Sequence, residues 1–217
     1  WNYRQLALAL QSEPRLAVLP ERLDSGSVMG EIGSDADHPE GWFLPETYLF
    51  TRGDSDRDLL LRAHRAMQEA LAEAWASRDT GLPLENPYEL LILASIIEKE
   101  TALAQERGEI AGVFVRRLLK GMRLQTDPTV IYGLGESFDG DIRRRDLRRD
   151  TPYNTYTRHG LPPTPIALPG RAALEAAAHP EPGDTLYFVA DGNGGHTFSR
   201  TLEEHQAAVD RFLNRKP

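Results

Sequence analysis

The sequence predicts an α+β fold: a helical core, a small β-hairpin and long irregular loops. Three observations predict it. The stretch opened by Asn86–Pro87 is apolar at every residue from Leu90 to Ile97 except Ser95, and a helix apolar on all sides must be enclosed by other elements. The segment "DTLYFVADGNGGHTFSR", Asp184 to Arg200, reads as strand, glycine turn, strand. The segment "LPPTPIALPG", Leu161 to Gly170, holds four prolines in ten residues and cannot be regular structure.

The elements follow in order. Residues 2–12 read as a short amphipathic helix, and the Gly-, Ser- and Asp-rich residues 20–40 as loop with short helical turns. "GWFLPETYLF", Gly41 to Phe50, is aromatic and β-prone, and Pro45 limits it to an edge or irregular strand. Asp54 or Ser55 can cap a long amphipathic helix ending near Arg78, with Leu59, Ala63, Ala66, Ala70 and Ala74 at helical spacing. In the next helix Asn86 is the N-cap, Pro87 takes the first position and Glu89 completes a capping-box pattern. A helix from Glu106 to Lys120 turns Ile110, Val113, Phe114 and Leu118 inward and stops at Gly121. Asp127–Pro128 opens a short helix, residues 134–170 are mostly irregular, and Gly170 to Ala178 is a short Ala-rich helix. Thr201 and Glu204 cap a last helix to about Asn214.

The 217 residues suffice for one large domain, or one domain with a small lobe. A hydrophobic content of 40% and a charged content of 27% are ordinary for a globular protein. The net charge of −8 argues against a general nucleic-acid binder. The charge is uneven: Arg116 to Arg158 holds ten Lys/Arg against six Asp/Glu. "RRRDLRR", Arg143 to Arg149, is either a solvated face or a local attraction for an anionic polymer. The absence of cysteine excludes disulfides, thiolate metal sites and a Cys nucleophile. No apolar run approaches the roughly 18 residues of a membrane span, and no signal peptide is visible.

Common catalytic motifs are missing: no G-x-S-x-G, H-E-x-x-H, P-loop or G-x-G-x-x-G occurs. "DGNGG" after Ala190 has the composition of a calcium loop, but its twelfth position would be Leu202, which cannot ligate calcium. The histidines lack the spacing of a metal cluster, so neither metal nor cofactor is expected. What remains is the pair Glu98 and Glu100 at the end of the oily helix. A carboxyl in an apolar setting keeps its proton longer, as a general acid acting on a glycosidic oxygen must. The plain alternative is that both have emerged at the solvated end of the helix. Periodicity does not choose between them, since residues two apart project from roughly opposite sides.

Several motifs together resemble one family. "GWFLPETY", "ASIIEKET", "RLQTDPTVIYG", "YNTYTRHGLPPTPIALPG", "AAAHP" and "LYFVADGNGGHTFSRTLEEH" are similar, in order, to the YceG/MltG family of endolytic murein transglycosylases. The resemblance runs from about Gly41 to the end. It implies a lysozyme-like helical catalytic core and places the catalytic glutamate on Glu98, the first in "EKET". Glu100 and Trp42 are carried as supporting residues. Gln125, Asp127, Thr129, Tyr153, Asn154, Thr155, Tyr156 and His196 are the candidates for binding sugar; Asp127 can equally be a helix cap, the tyrosine-rich segment a packed loop and His196 a hairpin closure.

By the same resemblance, residues 1–40 are a lead-in from a truncated LysM-like region and 41–217 the catalytic domain. The implied substrate is the peptidoglycan glycan strand, cut at the β-1,4 bond between N-acetylmuramic acid and N-acetylglucosamine to leave a 1,6-anhydro end, with no cofactor. A hydrolase using water, or a non-catalytic wall-binding protein, are the rival readings. Peptidoglycan synthases are the implied protein partners, and nucleic acid is not. The expected location is the outer face of the bacterial cytoplasmic membrane, with the anchor in a segment outside this chain.

Overall fold

The computed structural model describes residues 1–214, apart from the side chains of Pro20 and Arg22; the last three residues of the expected 41–217 region lie outside that range. The fold is α+β, built around one enclosed helix. In chain order the helices are α1 (Tyr3–Gln11), α2 (Val28–Glu31), α3 (Asp56–Ser77), α4 (Pro87–Glu100), α5 (Arg107–Leu119), α6 (Asp127–Leu134), α7 (Arg144–Arg148), α8 (Arg171–Ala178) and α9 (Leu202–Asn214). The strands β1 (Tyr187–Ala190) and β2 (His196–Ser199) form an antiparallel hairpin with Phe188 opposite Phe198.

Helix α4 is the centre. Leu90 to Ile97 are all buried, with α3, α5, α6 and α8 packed around them. The alanines of α8 (Ala173, Ala176, Ala177, Ala178) are small enough to let it lie closely along α4, its most extensive helix partner. Ser95, the one polar residue of that run, is fully buried and satisfied on two sides. Its hydroxyl donates to the Ile92 carbonyl at 2.7 Å and accepts the Ile166 N–H at 3.0 Å. A buried N–H needs such an acceptor, so the proline-rich loop is pinned to α4 at this point.

A second apolar cluster joins α1, Leu23, Val28, Met29 and Ile32 to Phe43, Leu59, Leu60, Ala63 and Leu168. Residues 1–40 are therefore packed against the α3 face and the proline-rich loop. Tyr3 lies 5.6 Å from the Phe43 ring, its hydroxyl donates to the Leu23 carbonyl at 2.9 Å, and its N–H donates to the buried Glu40 carboxylate at 2.9 Å. Burial pushes the Glu40 carboxyl up to about 7, against the lowering bonds from Tyr3, Tyr132 and Gly41. The N–H of Leu168 completes the seam by donating to the Trp1 carbonyl at 2.8 Å.

Two local expectations are corrected. Gly41 to Phe50 is not a strand: Pro45 offers no N–H, and the Leu44 N–H donates instead to the Ala63 carbonyl of α3 at 3.1 Å. The segment has no regular secondary structure and joins no sheet. At the start of α4, Asn86 does accept the Glu89 N–H at 3.1 Å, but the Glu89 carboxylate takes the Glu85 N–H at 2.7 Å and leaves the box unclosed. The Thr201–Glu204 cap does close in both directions.

The arginines of α5 dock the hairpin. Buried Arg117 donates to the carbonyls of Leu186 at 2.6 Å and Leu124 at 2.8 Å, and Arg116 reaches the Thr185 carbonyl at 2.7 Å. Part of the basic excess noted in the sequence is thus structural. No described helix is long and apolar enough to cross a membrane.

Candidate active site

An α-helix turns about 100° per residue, and the last turn of α4 uses that rotation to send three consecutive side chains to three places. Glu98 faces a cleft of about 690 Å³ whose walls include Leu10 of α1, Phe43, Tyr48, Phe50 and Leu168. Lys99 faces a separate hollow of about 570 Å³ shared with Glu40 and Tyr132. Glu100 turns to the segment 125–127.

Glu98 is half-buried, neither enclosed nor free in solvent. Its Oε2 accepts the N–H of Gly170 at 3.1 Å. Gly170 is the N-cap of α8 and the last residue of the proline-rich loop. Ser95 and Glu98 are three apart on one face of α4, so the loop is held at Ile166 by one and at Gly170 by the other. No hydrogen bond engages Glu98 Oε1 among the described residues, which leaves that oxygen for proton exchange in the cleft.

The cleft holds two further carboxylates, and each has an arginine. Glu13 bonds Arg15 at 2.7 Å, and those bonds lower its carboxyl to about 2. Glu46 lies 3.7 Å from Arg171. Glu98 is the one cleft-lining carboxylate without an arginine partner among the described residues.

The other face of the α4 terminus carries a denser polar network. Thr126 donates its hydroxyl to Glu100 Oε1. Thr126 also donates its N–H to Thr155 Oγ1 at 3.1 Å, and Thr155 Oγ1 meets Thr129 Oγ1 at 2.9 Å. Gln125 donates its N–H to the Thr155 carbonyl at 3.2 Å and has φ +52°, the one positive φ of a non-glycine residue among the described residues. Tyr156 donates its hydroxyl to Asp127 at 2.6 Å. Burial pushes the Glu100 carboxyl up to about 7; Asp127 adds to the rise, while the Thr126 bond and His196 oppose it. Glu106 accepts both the backbone N–H and ring Nδ1 of His196, each at 2.8 Å, and so ties β2 to the start of α5.

The YceG-like family profile matches residues 1–211. The chain belongs to the YceG-like family. Over its full length this YceG-like chain is 35% identical to an endolytic murein transglycosylase of Bacillus subtilis strain 168 and covers 60% of that protein. It is 32% identical over 182 residues to an endolytic murein transglycosylase of Streptococcus pneumoniae strain D39, covering 82% of this chain and 33% of the relative. The crystal structure of a YceG-like protein from Listeria monocytogenes superposes with a TM-score of 0.70 at 36% identity, over 94% of this chain and 63% of that one. The YceG-like chain thus spans three-fifths or less of the length of these curated relatives.

The sequence-derived candidates do not gather in one place. Glu98 stands in the cleft. Gln125, Asp127 and Tyr156 gather at the Glu100 face, with Gln125 and Asp127 exposed and Tyr156 half-buried. Thr129, Asn154 and Thr155 are buried and bonded to protein: Asn154 Nδ2 donates to the carbonyls of Asp146, Leu147 and Arg149. Their side chains hold the loop in shape. Tyr153 packs on the Tyr132 ring at 4.9 Å and meets Thr164 Oγ1 at 2.9 Å. Trp42 stacks on Tyr88 at 5.8 Å with a 12° interplanar angle and is half-buried in the core seam. His196 closes the hairpin onto Glu106.

Residues passed over by the sequence reading are Ser95, Gly170, Thr126 and Glu106 as holders of the site. Ser95 carried a signal, being the lone polar residue in an apolar run. Glu106 carried none, because its partner lies 90 residues away.

Proposed function

We propose that this YceG-like chain is the catalytic part of an endolytic murein transglycosylase that cuts the β-1,4 bond after N-acetylmuramic acid and leaves a 1,6-anhydro end. The observation that carries the reading is the isolation of Glu98 in its cleft. Glu13 is held by Arg15, Glu46 is exposed with Arg171 3.7 Å away, and half-buried Glu98 is anchored by the Gly170 N–H with one oxygen unengaged. A two-carboxylate hydrolase needs a second acid as nucleophile or to activate water. One acid/base group suffices for the intramolecular reaction.

Glu98 gives its proton to the glycosidic oxygen, which leaves as the 4-hydroxyl of N-acetylglucosamine. The C6 hydroxyl of the muramic acid attacks the anomeric carbon from its own ring and releases its proton to the Glu98 carboxylate. The bond broken is C1–O4, the bond formed is C1–O6, and the acid is restored. Such positioned proton transfer is worth about 10²–10⁴-fold in rate. Tyr48 and Phe50, with Arg62 and Arg15 over their rings, line the cleft where sugars would lie. A strand crossing the end of α4 would meet Gln125 and Asp127 on the far side.

The same reading places the enzyme in the cell envelope, on nascent strands beside peptidoglycan synthases, where cutting would end elongation. Mass spectrometry of products from purified peptidoglycan tests the reaction. Fragments one water lighter than reducing-end fragments support it; reducing ends alone would assign a hydrolase.

A further inference from the structure

We propose that Glu100 is a positioning residue: through Thr126 it locks the turn 125–127, so that Gln125 and Asp127 present their side chains to the glycan. The inference rests on the reading of the chain as a glycan-cutting enzyme and gives a role to the second glutamate of "EKET".

The turn alternates in and out. Leu124 and Thr126 are buried, Gln125 and Asp127 exposed. Within it Gln125 has a left-handed backbone, φ +52°. A non-glycine residue there is unfavourable, and such outliers persist only where surrounding contacts over-determine them. The contacts come from both sides. The 154–156 loop holds the turn through Thr155, which takes the N–H groups of Gln125 and Thr126, and through Tyr156, which bonds Asp127. Glu100 holds it from the α4 side through the Thr126 hydroxyl. Since α4 also carries Glu98, a shift of the turn relative to α4 is a shift of the sugar-facing residues relative to the acid.

The lock has a charge state. The charged and titratable groups around Glu100 are Asp127 of α6, His196 of β2, held by Glu106, and Tyr156 of the loop. Asp127 is one residue from the bond that Glu100 accepts. Ionised Glu100 accepts the Thr126 hydroxyl more strongly, and that gain outweighs the repulsion from Asp127.

The test separates this role from the chemistry by measuring binding in a Glu98→Gln background. The probe is a peptide-free tetrasaccharide of alternating N-acetylglucosamine and N-acetylmuramic acid, titrated calorimetrically from pH 5.5 to 8.5. Affinity is expected to strengthen as pH rises through about 7, and to lose that step in Glu98→Gln/Glu100→Gln. Glutamine still accepts the Thr126 hydroxyl but cannot ionise; His196 is common to both proteins, so the difference reports Glu100. Thr126→Val in the same background is expected to weaken binding about tenfold, the equivalent of one lost hydrogen bond to a charged group, and Thr126→Ser to restore it. Circular dichroism confirms that each variant is folded.

Identical pH dependence with and without Glu100, or undiminished affinity in a folded Thr126→Val, overturns the proposal. With Glu98 intact, a folded Glu100→Gln as inactive as Glu98→Gln would overturn it differently, making Glu100 the proton donor. A wild-type protein that binds the tetrasaccharide but yields no anhydro ends would instead fail the proposed reaction and leave the positioning role standing.

Discussion

The backbone N–H of Gly170 donates to Glu98 Oε2 at 3.1 Å, across 72 residues of sequence. This bond couples Glu98 to the loop that frames its cleft, and Gly170→Pro both deletes it and sets a Cδ against the Glu98 carboxylate. Gly170 has φ −83°, which proline can adopt. Gly170→Pro removes the donor and is expected to lower turnover about tenfold or more while the protein stays folded. Gly170→Ala keeps the donor, and its Cβ would meet Glu98 Oε2 at 3.7 Å and Pro45 Cγ at 3.9 Å, ordinary contacts. Its turnover should stay near wild type. Side-by-side initial rates on peptidoglycan decide the matter.

Ser95 is expected to matter for stability first. In Ser95→Ala the Ile166 N–H loses its acceptor inside the core, which costs about 1–3 kcal/mol. For a domain of this size each kcal/mol lowers Tm by about 2–4 °C. Thermal unfolding followed by circular dichroism reads the loss, and an unchanged Tm would mean that the loop is held elsewhere.

Gln125→Gly should separate stability from activity. Glycine relieves the left-handed backbone, so Tm should hold or rise slightly, while loss of the exposed amide should raise KM. A variant with wild-type KM would remove Gln125 from the sugar-binding surface.

The Glu106–His196 bond predicts an acid limit for the hairpin. Burial works to raise the Glu106 carboxyl, but the bonds from the His196 side chain and backbone outweigh it and hold it below its ordinary value of 4.5. A carboxyl lowered in the folded state contributes stability that is present above its unfolded value and lost as pH falls through the folded one. The stability gap between wild type and Glu106→Gln should therefore be full above pH 4.5 and narrow below it. Denaturant titrations across that range measure the gap.

Much of this fold was legible in local sequence. Helix caps at Ser55, Asn86 and Thr201, the apolar run of α4 and the glycine turn of the hairpin are written within a few residues. The Gly41–Phe50 segment misled because aromatic content signals a strand, whereas pairing depends on partners its composition cannot show. The site was less legible for the same reason. Periodicity left Glu98 and Glu100 unranked, and only resemblance chose Glu98. What distinguishes them physically is what each meets: Gly170 for one, Thr126 for the other, both brought in by long loops. Asn154 and Thr155 looked like sugar ligands by chemistry, yet their side chains are consumed in holding the loop.

The most direct test is the product yield of Glu98→Gln on purified peptidoglycan, measured by mass spectrometry beside wild type. Glutamine keeps the shape and can keep the Gly170 bond but has no proton to give, so release of anhydro-ended fragments should fall by about 10²-fold or more. Release at the wild-type rate would show that the proton comes from another group and would contradict the account at its centre.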